Sequence, residues 1–151
     1  MQLSNVLTPD RIAFRDEPTD WATAVRTVAR PLLDAGDITT DYVDAMVASI
    51  ADGGTYINLG FGIALAHARP ESGALRPALS MLRLAEPAPL LGLPEHAVDL
   101  YFCLAAPDPV THTEAMASLA RLLSDSTGRE ELRAARSAAD VITLITRIEE
   151  T

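Results

Sequence analysis

Three histidines, a single cysteine and Arg69 carry most of the reactive chemistry this sequence offers. His67 ends the apolar run Ile63–Ala66 in GIALAHARPE, and Arg69, Pro70 and Glu71 follow it. Imidazole is neutral and nucleophilic near pH 7, and its two nitrogens can divide the work. One can attack an electrophile while the other holds a hydrogen bond that fixes the ring. The end of a sheet strand is a rigid place to present such a ring. Arg69 is near enough in sequence to partner a phosphate or Glu71. Judged from spacing alone, a satisfied core histidine at a strand end is the simpler account of His67, since a motif in one sequence is weak. His112 follows the loop APDPV and precedes a helix predicted from Thr113. Backbone N–H groups at a helix start attract anions, so a histidine there could donate to a phosphoryl oxygen. Taken alone, an exposed loop residue is the simpler account there too.

Other chemistries find less support. Zinc needs three or four ligands at close spacing, whereas His67, His96 and His112 are far apart, so no metal is expected. His96, in LPEHAVD, reads as a surface histidine beside Glu95. A Cys/His nucleophile pair would need Cys103 exposed and activated, but LYFCLAA reads as core. GGTYINLGFG has glycines without the G-x-G-x-x-G spacing, and no G-x-x-x-x-G-K-[ST] occurs. Nucleotide cofactors are therefore not expected, nor any other cofactor.

Alternating helices and strands must position the histidines. RIAFR, Arg11 to Arg15, alternates as a short strand. Trp21, Ala24, Val25, Val28, Ala29, Leu32 and Leu33 share one helical face, with Asp20 as N-cap, Pro31 as a kink or split in the last turn, and Gly36 as the stop. Thr39 caps a second helix whose buried stripe is Val43, Met46, Val47 and Ile50, ended by Gly53 and Gly54. Strands are predicted near Thr55–Leu59, Ile63–Ala66, Leu79–Leu84 and Val98–Ala105, the last apolar enough to be covered on both faces. Ala115, Met116, Leu119, Leu122 and Leu123 form a further helical stripe, capped by Thr111 or Thr113. GREELRAAR makes a short charged helix, and Ser137 opens the last one with S-x-x-D. Residues 1–151 thus read as one α/β domain with a mixed sheet flanked by helices.

Bulk composition agrees. At 151 residues and 48% hydrophobic, the chain can bury a real core and is not disordered. Its net charge of -9, from 12 basic and 21 acidic residues, argues against a general nucleic-acid partner. A lone cysteine allows no intrachain disulfide, which fits a reducing cytoplasm. The first residues lack the pattern of a signal peptide, and no apolar run of about 20 residues would insert in a membrane.

With those residues in place, the sequence resembles the enzyme IIA domain of the bacterial sugar phosphotransferase system, fructose–mannitol class, and most of all its ascorbate branch. DWATAV, MVASIADGGTYI, GIALAHARPESG, DPVTHTEA and EELRAARSAADVITLI carry the resemblance through most of the chain. It implies a single α/β domain with a mixed sheet between helices. It also implies a phosphocarrier that accepts a phosphoryl group from HPr on His67 and passes it to enzyme IIB, a cysteine in the ascorbate branch, which serves the membrane component IIC. His112 matches a second histidine that lies near the first in the folded family. A basic docking surface on HPr would suit the acidic chain. An alternative is a regulatory module in which the phosphorylation of His67 controls a partner instead of feeding transport; a third is a degenerate domain that only binds partners. Three departures stand out: Ala66 and Phe61 occupy positions where proline is usual or frequent, and SIADGG lacks an arginine found in mannitol members, which favours the ascorbate side.

Overall fold

The structure, a computed structural model, describes residues 2–150. After turns at Leu3–Asn5 and Pro9–Arg11 come β1 (Ile12–Arg15), α1 (Trp21–Asp34) and α2 (Thr40–Ala51). The middle of the chain supplies β2 (Asn58–Gly60), β3 (Ile63–Ala66), β4 (Ala78–Leu84) and β5 (Leu100–Ala105). Three helices close it: α3 (Pro109–Leu123), α4 (Ser126–Ala134) and α5 (Ala138–Glu149).

The strands form one mixed sheet in the order β1-β4-β5-β3-β2. β1 runs parallel to β4 and β3 parallel to β5, while β4–β5 and β2–β3 are antiparallel. Strand side chains alternate between faces, and the central strands obey this strictly. Ala64, Ala66, Tyr101, Cys103 and Ala105 join the core under α1 and α2. Ile63, Leu65, Leu100, Phe102 and Leu104 join the core under α3 and α5. Both faces are covered, which explains the unbroken apolar run of β5.

The helix caps follow simple chemistry. The Asp20 carboxylate accepts from Thr23 N–H at 2.7 Å, Thr39 Oγ1 from Tyr42 N–H at 3.3 Å, and Ser137 Oγ from Asp140 N–H at 3.2 Å. Gly36, at φ 78°, ends α1 with Asp37 N–H reaching back to Leu32 O at 2.9 Å. Pro31 does not split α1, which continues through it to Asp34.

Several boundaries differ from the sequence expectation. Thr55–Ile57 is a single 3-10 turn, and β2 begins only at Asn58, whose side-chain oxygen accepts from Gly60 N–H at 2.8 Å. Arg11 closes a turn and lies outside β1. β5 begins at Leu100, because Asp99 and Leu100 both donate to Gly62 O. α3 starts earlier than Thr113: Asp108 caps it through Thr111 N–H at 2.8 Å, and Pro109 takes the first helical position. His112 therefore sits inside the first turn of α3 and not ahead of it.

Candidate functional site

β3 and β5 are parallel neighbours whose ladder ends at the pair Ala66–Cys103. The next residue after β3 is His67. β5 runs on to Ala105, and the chain then turns at Asp108 into α3, which carries His112. The carboxyl ends of two adjacent parallel strands thus bring together residues 45 positions apart, in the crevice where α/β sheets commonly bind ligands.

The two imidazole rings lie 6.0 Å apart, centroid to centroid, tilted by 49°. Tyr56 meets the His67 ring edge-on at 5.9 Å, and its hydroxyl pairs with Ser49 Oγ at 2.9 Å. His67 Nδ1 lies 2.9 Å from Leu65 O. A carbonyl oxygen only accepts, so this contact puts the proton on Nδ1 and leaves the lone pair on Nε2. The ring is fixed by one nitrogen and chemically open at the other.

Both histidines line an open hollow of about 370 Å³, with Arg69, Tyr56, Asp108 and Pro109 among its walls. Arg69 is exposed and makes no ion pair among the described residues, including none with Glu71. Tyr56, which lines the hollow, is 61% exposed, and Val110, two residues before His112 in α3, is 67% exposed. Below the hollow, the Tyr42 hydroxyl accepts from Ala68 N–H at 3.1 Å and donates to Leu104 O at 2.8 Å. Burial pushes the Tyr42 phenol well above its usual range, so it keeps its proton at any physiological pH. Two hydrogen bonds from Thr111, N–H first and hydroxyl second, hold the Asp108 carboxyl below the ordinary carboxylate range.

All three residues singled out in the sequence, His67, Arg69 and His112, line this one hollow. Tyr42, Tyr56 and Asp108, which the sequence reading does not single out, line it as well. Tyr42 stands four residues before Met46 on the buried stripe of α2, and Asp-Pro before a helix is a recognised start signal, so two of the three left a trace. His96 lies elsewhere. It is half-buried, with Nδ1 accepting from Asn58 Nδ2 at 2.8 Å, and so is more than a surface residue beside Glu95.

Cys103 is fully buried against Met46, and burial pushes its thiol up to about 12. It is no nucleophile in the folded protein. Among the described residues, no three of His, Cys, Asp or Glu gather where they could hold a metal ion. None of the described helices is long and apolar enough to cross a membrane.

A five-stranded mixed sheet between helices, with a histidine at the carboxyl end of an inner strand and a second histidine across a shared hollow, defines a class of histidine-bearing α/β modules. The family model for the phosphoenolpyruvate-dependent sugar phosphotransferase system, EIIA 2, matches residues 5–148, and the chain belongs to that family. It is 31% identical over 147 residues to the mannitol-specific cryptic phosphotransferase enzyme IIA component of Escherichia coli (strain K12), covering 97% of this chain and 99% of the relative. It is 29% identical over 137 residues to the ascorbate-specific PTS system EIIA component of Salmonella choleraesuis (strain SC-B67), covering 90% and 89%. The solution structure of the mannitol-specific cryptic enzyme IIA CmtB from Escherichia coli superposes with a TM-score of 0.89 at 31% identity, over 97% of this chain and 99% of that one.

Proposed function

We propose that this protein is a phosphocarrier that takes a phosphoryl group from HPr on His67 Nε2 and delivers it to an enzyme IIB. The carrying observation is the Nδ1 contact to Leu65 O at 2.9 Å, which leaves Nε2 as the unprotonated nitrogen of a ring lining an open hollow. In the first step the Nε2 lone pair attacks phosphorus. The bond from phosphorus to the HPr donor atom breaks, and its electron pair returns to HPr. In the second step a nucleophile on enzyme IIB, a cysteine in an ascorbate-type partner, attacks the same phosphorus and the electron pair returns to Nε2. Nδ1–H stays bonded to Leu65 O throughout, so the ring does not rotate and spreads its positive charge into a carbonyl dipole.

His112 is assigned to hold a phosphoryl oxygen, and Arg69 to contribute cationic charge from the loop. The exposed Tyr56 on the wall of the hollow suits two proteins that dock and leave in turn. The reading places the chain in the cytoplasm, beside but not in the membrane that houses the transport component, and its cargo as an ascorbate-like sugar. Membership of the EIIA family and the absence of an arginine from Ser49–Gly54 support it. The test is incubation with phosphorylated HPr and mapping of the label. Label on His67 that is acid-labile and base-stable, absent from a His67→Ala variant and passed on to a IIB protein, is the expected result. Full labelling of His67→Ala, or an acid-resistant bond, would refute it.

A further inference from the structure

We propose that Tyr42 is a positioning residue for the phosphoryl-accepting histidine, its hydroxyl serving as the rung that follows the last backbone pair between β3 and β5. The proposal rests on the phosphocarrier reading of His67. The β3–β5 ladder stops at Ala66–Cys103. Beyond it the two strands part, β3 into the His67 loop and β5 towards α3. The Tyr42 hydroxyl occupies that parting. It accepts from Ala68 N–H at 3.1 Å and donates to Leu104 O at 2.8 Å, with Ala68 O a further 3.3 Å neighbour. One hydroxyl has a single proton, and here it is donated across the gap while a lone pair accepts from the other side.

His67 sits between two fixed points. Leu65 is held in the sheet and receives the Nδ1 proton; Ala68 is held by the phenol. The direction of the ring bond depends on the backbone between them. A second tie secures the same loop to the same helix start, since Thr39 N–H donates to Gly73 O at 3.1 Å. Tyr42 is 1% exposed and its ring packs in the core under α1 and α2, so the hydroxyl cannot drift. Removing it leaves Ala68 N–H and Leu104 O without their bridge, directly beside the site. The local loop can then relax, and the Nε2–H tautomer, whose Nε2 has no free lone pair with which to attack phosphorus, becomes accessible.

Tyr42→Phe keeps the ring and deletes the bridge. Ser80→Ala is the matched control: Ser80 Oγ is also a buried hydroxyl bonded to a backbone oxygen, Val28 O at 2.5 Å, but on β4, two strands from β3. Two readouts are taken, the His67 ring nitrogen shifts by NMR above the imidazole titration, and the rate of phosphoryl transfer from phosphorylated HPr. For Tyr42→Phe the expected result is a mixed tautomer and transfer slowed by about tenfold, the factor matching the upper range for one neutral hydrogen bond. Ser80→Ala should lose thermal stability with both readouts unmoved. A folded Tyr42→Phe with wild-type tautomer and rate overturns the proposal, and so does a Ser80→Ala variant that moves both equally. If Tyr42→Phe does not fold, hydrogen exchange of the Ala68 amide in the wild-type protein decides, protection supporting the bridge and exposed-amide exchange overturning it. The tautomer readout needs no donor protein. Wild type that takes no label would thus count against the phosphocarrier reading, and the ring shifts would still decide the role of Tyr42.

Discussion

Replacing His112 by alanine tests whether the second histidine serves the first. The rings are 6.0 Å apart and share one hollow, so a phosphoryl group on His67 would lie within reach of a donor on His112. A hydrogen bond to a charged group contributes about 1.5–3 kcal/mol. At ~1.4 kcal/mol per power of ten, its loss would slow transfer by about ten- to a hundredfold. His112 is only half-buried and the hollow is open, so water takes over part of the role and the expected loss is at the lower end, about tenfold. His112→Gln, whose amide can also donate, should recover part of it. The backbone amide of His112 already donates to Asp108 O at 3.1 Å within α3, so the side chain, not a free N–H, must supply the contact. The assay is rapid-quench measurement of both steps, from phosphorylated HPr and to a matched enzyme IIB. His112→Ala should still be labelled at His67. Normal rates in both steps would make His112 a bystander and leave the site to His67 and its backbone partner.

Arg69→Ala should slow transfer while changing stability by no more than about 0.5 kcal/mol, because the side chain is exposed and unpaired among the described residues; a large fall in melting temperature with normal transfer would make it structural. The start of α3 should loosen in acid. The folded Asp108 carboxyl titrates below its unfolded value, so its capping contribution is complete above the ordinary carboxylate range and is lost as pH falls through the depressed value. Hydrogen exchange at Thr111 should rise there, and Asp108→Asn, an equally good cap without a charge to lose, should remove the pH dependence. Cys103 should resist alkylation in the folded protein at pH 8 and react at once in denaturant, since burial pushes its thiol up to about 12; rapid modification of the native state would show that the core opens.

Local signals reached most of the fold. The caps at Asp20, Thr39 and Ser137 are each made by the residue expected, because an N-cap is decided within three positions of sequence. The apolar runs at Ile63–Ala66 and Leu100–Ala105 announce buried strands, and the partition of Ala64 and Ala66 from Ile63 and Leu65 follows from alternation. Two local signals resolve differently in the structure. Asp108-Pro109, not Thr111 or Thr113, caps the third stripe, so His112 lies inside the helix. Thr55–Ile57 has strand-like residues but follows a helix end at Asp52–Gly54, and the chain needs a turn there before it can pair. What sequence could not supply was pairing at a distance. The order of the strands and the Tyr42 bridge between Ala68 and Leu104 depend on contacts across the whole chain, and the meeting of His67 with His112 is expected only through the family resemblance, not from local pattern. The ring orientation of His67 lies in between, since Leu65 is two residues away but only a folded turn brings its carbonyl to Nδ1.

Two of the departures from the family pattern are met by such a distant contact. A proline before Gly62 could not occupy this turn, since Phe61 has φ 57° and proline is held near −65°. The rigidity a proline would give comes instead from α4. Arg133 donates to Phe61 O at 2.5 Å and pairs with both oxygens of Asp99 at 2.8 and 3.0 Å, while the Arg129 guanidinium lies 3.8 Å over the Phe61 ring. Ala66 lacks the restraint that a proline before His67 would give, but it is fully buried on the last rung of the β3–β5 ladder, and the Tyr42 hydroxyl fastens the backbone two residues on. A side chain that fits the core and a hydroxyl from another helix do here what ring closure does elsewhere: they narrow the φ and ψ range around residue 67. The missing arginine in Ser49–Gly54 is of a different kind. Ser49 pairs with Tyr56 over the site and brings no charge, so among the described residues the only guanidinium lining the hollow is that of Arg69, on an exposed loop. A cation in water attracts a phosphoryl group less strongly than a buried one. Under the phosphocarrier reading that weakness is an advantage, because a group held only loosely by its cation is readily passed on.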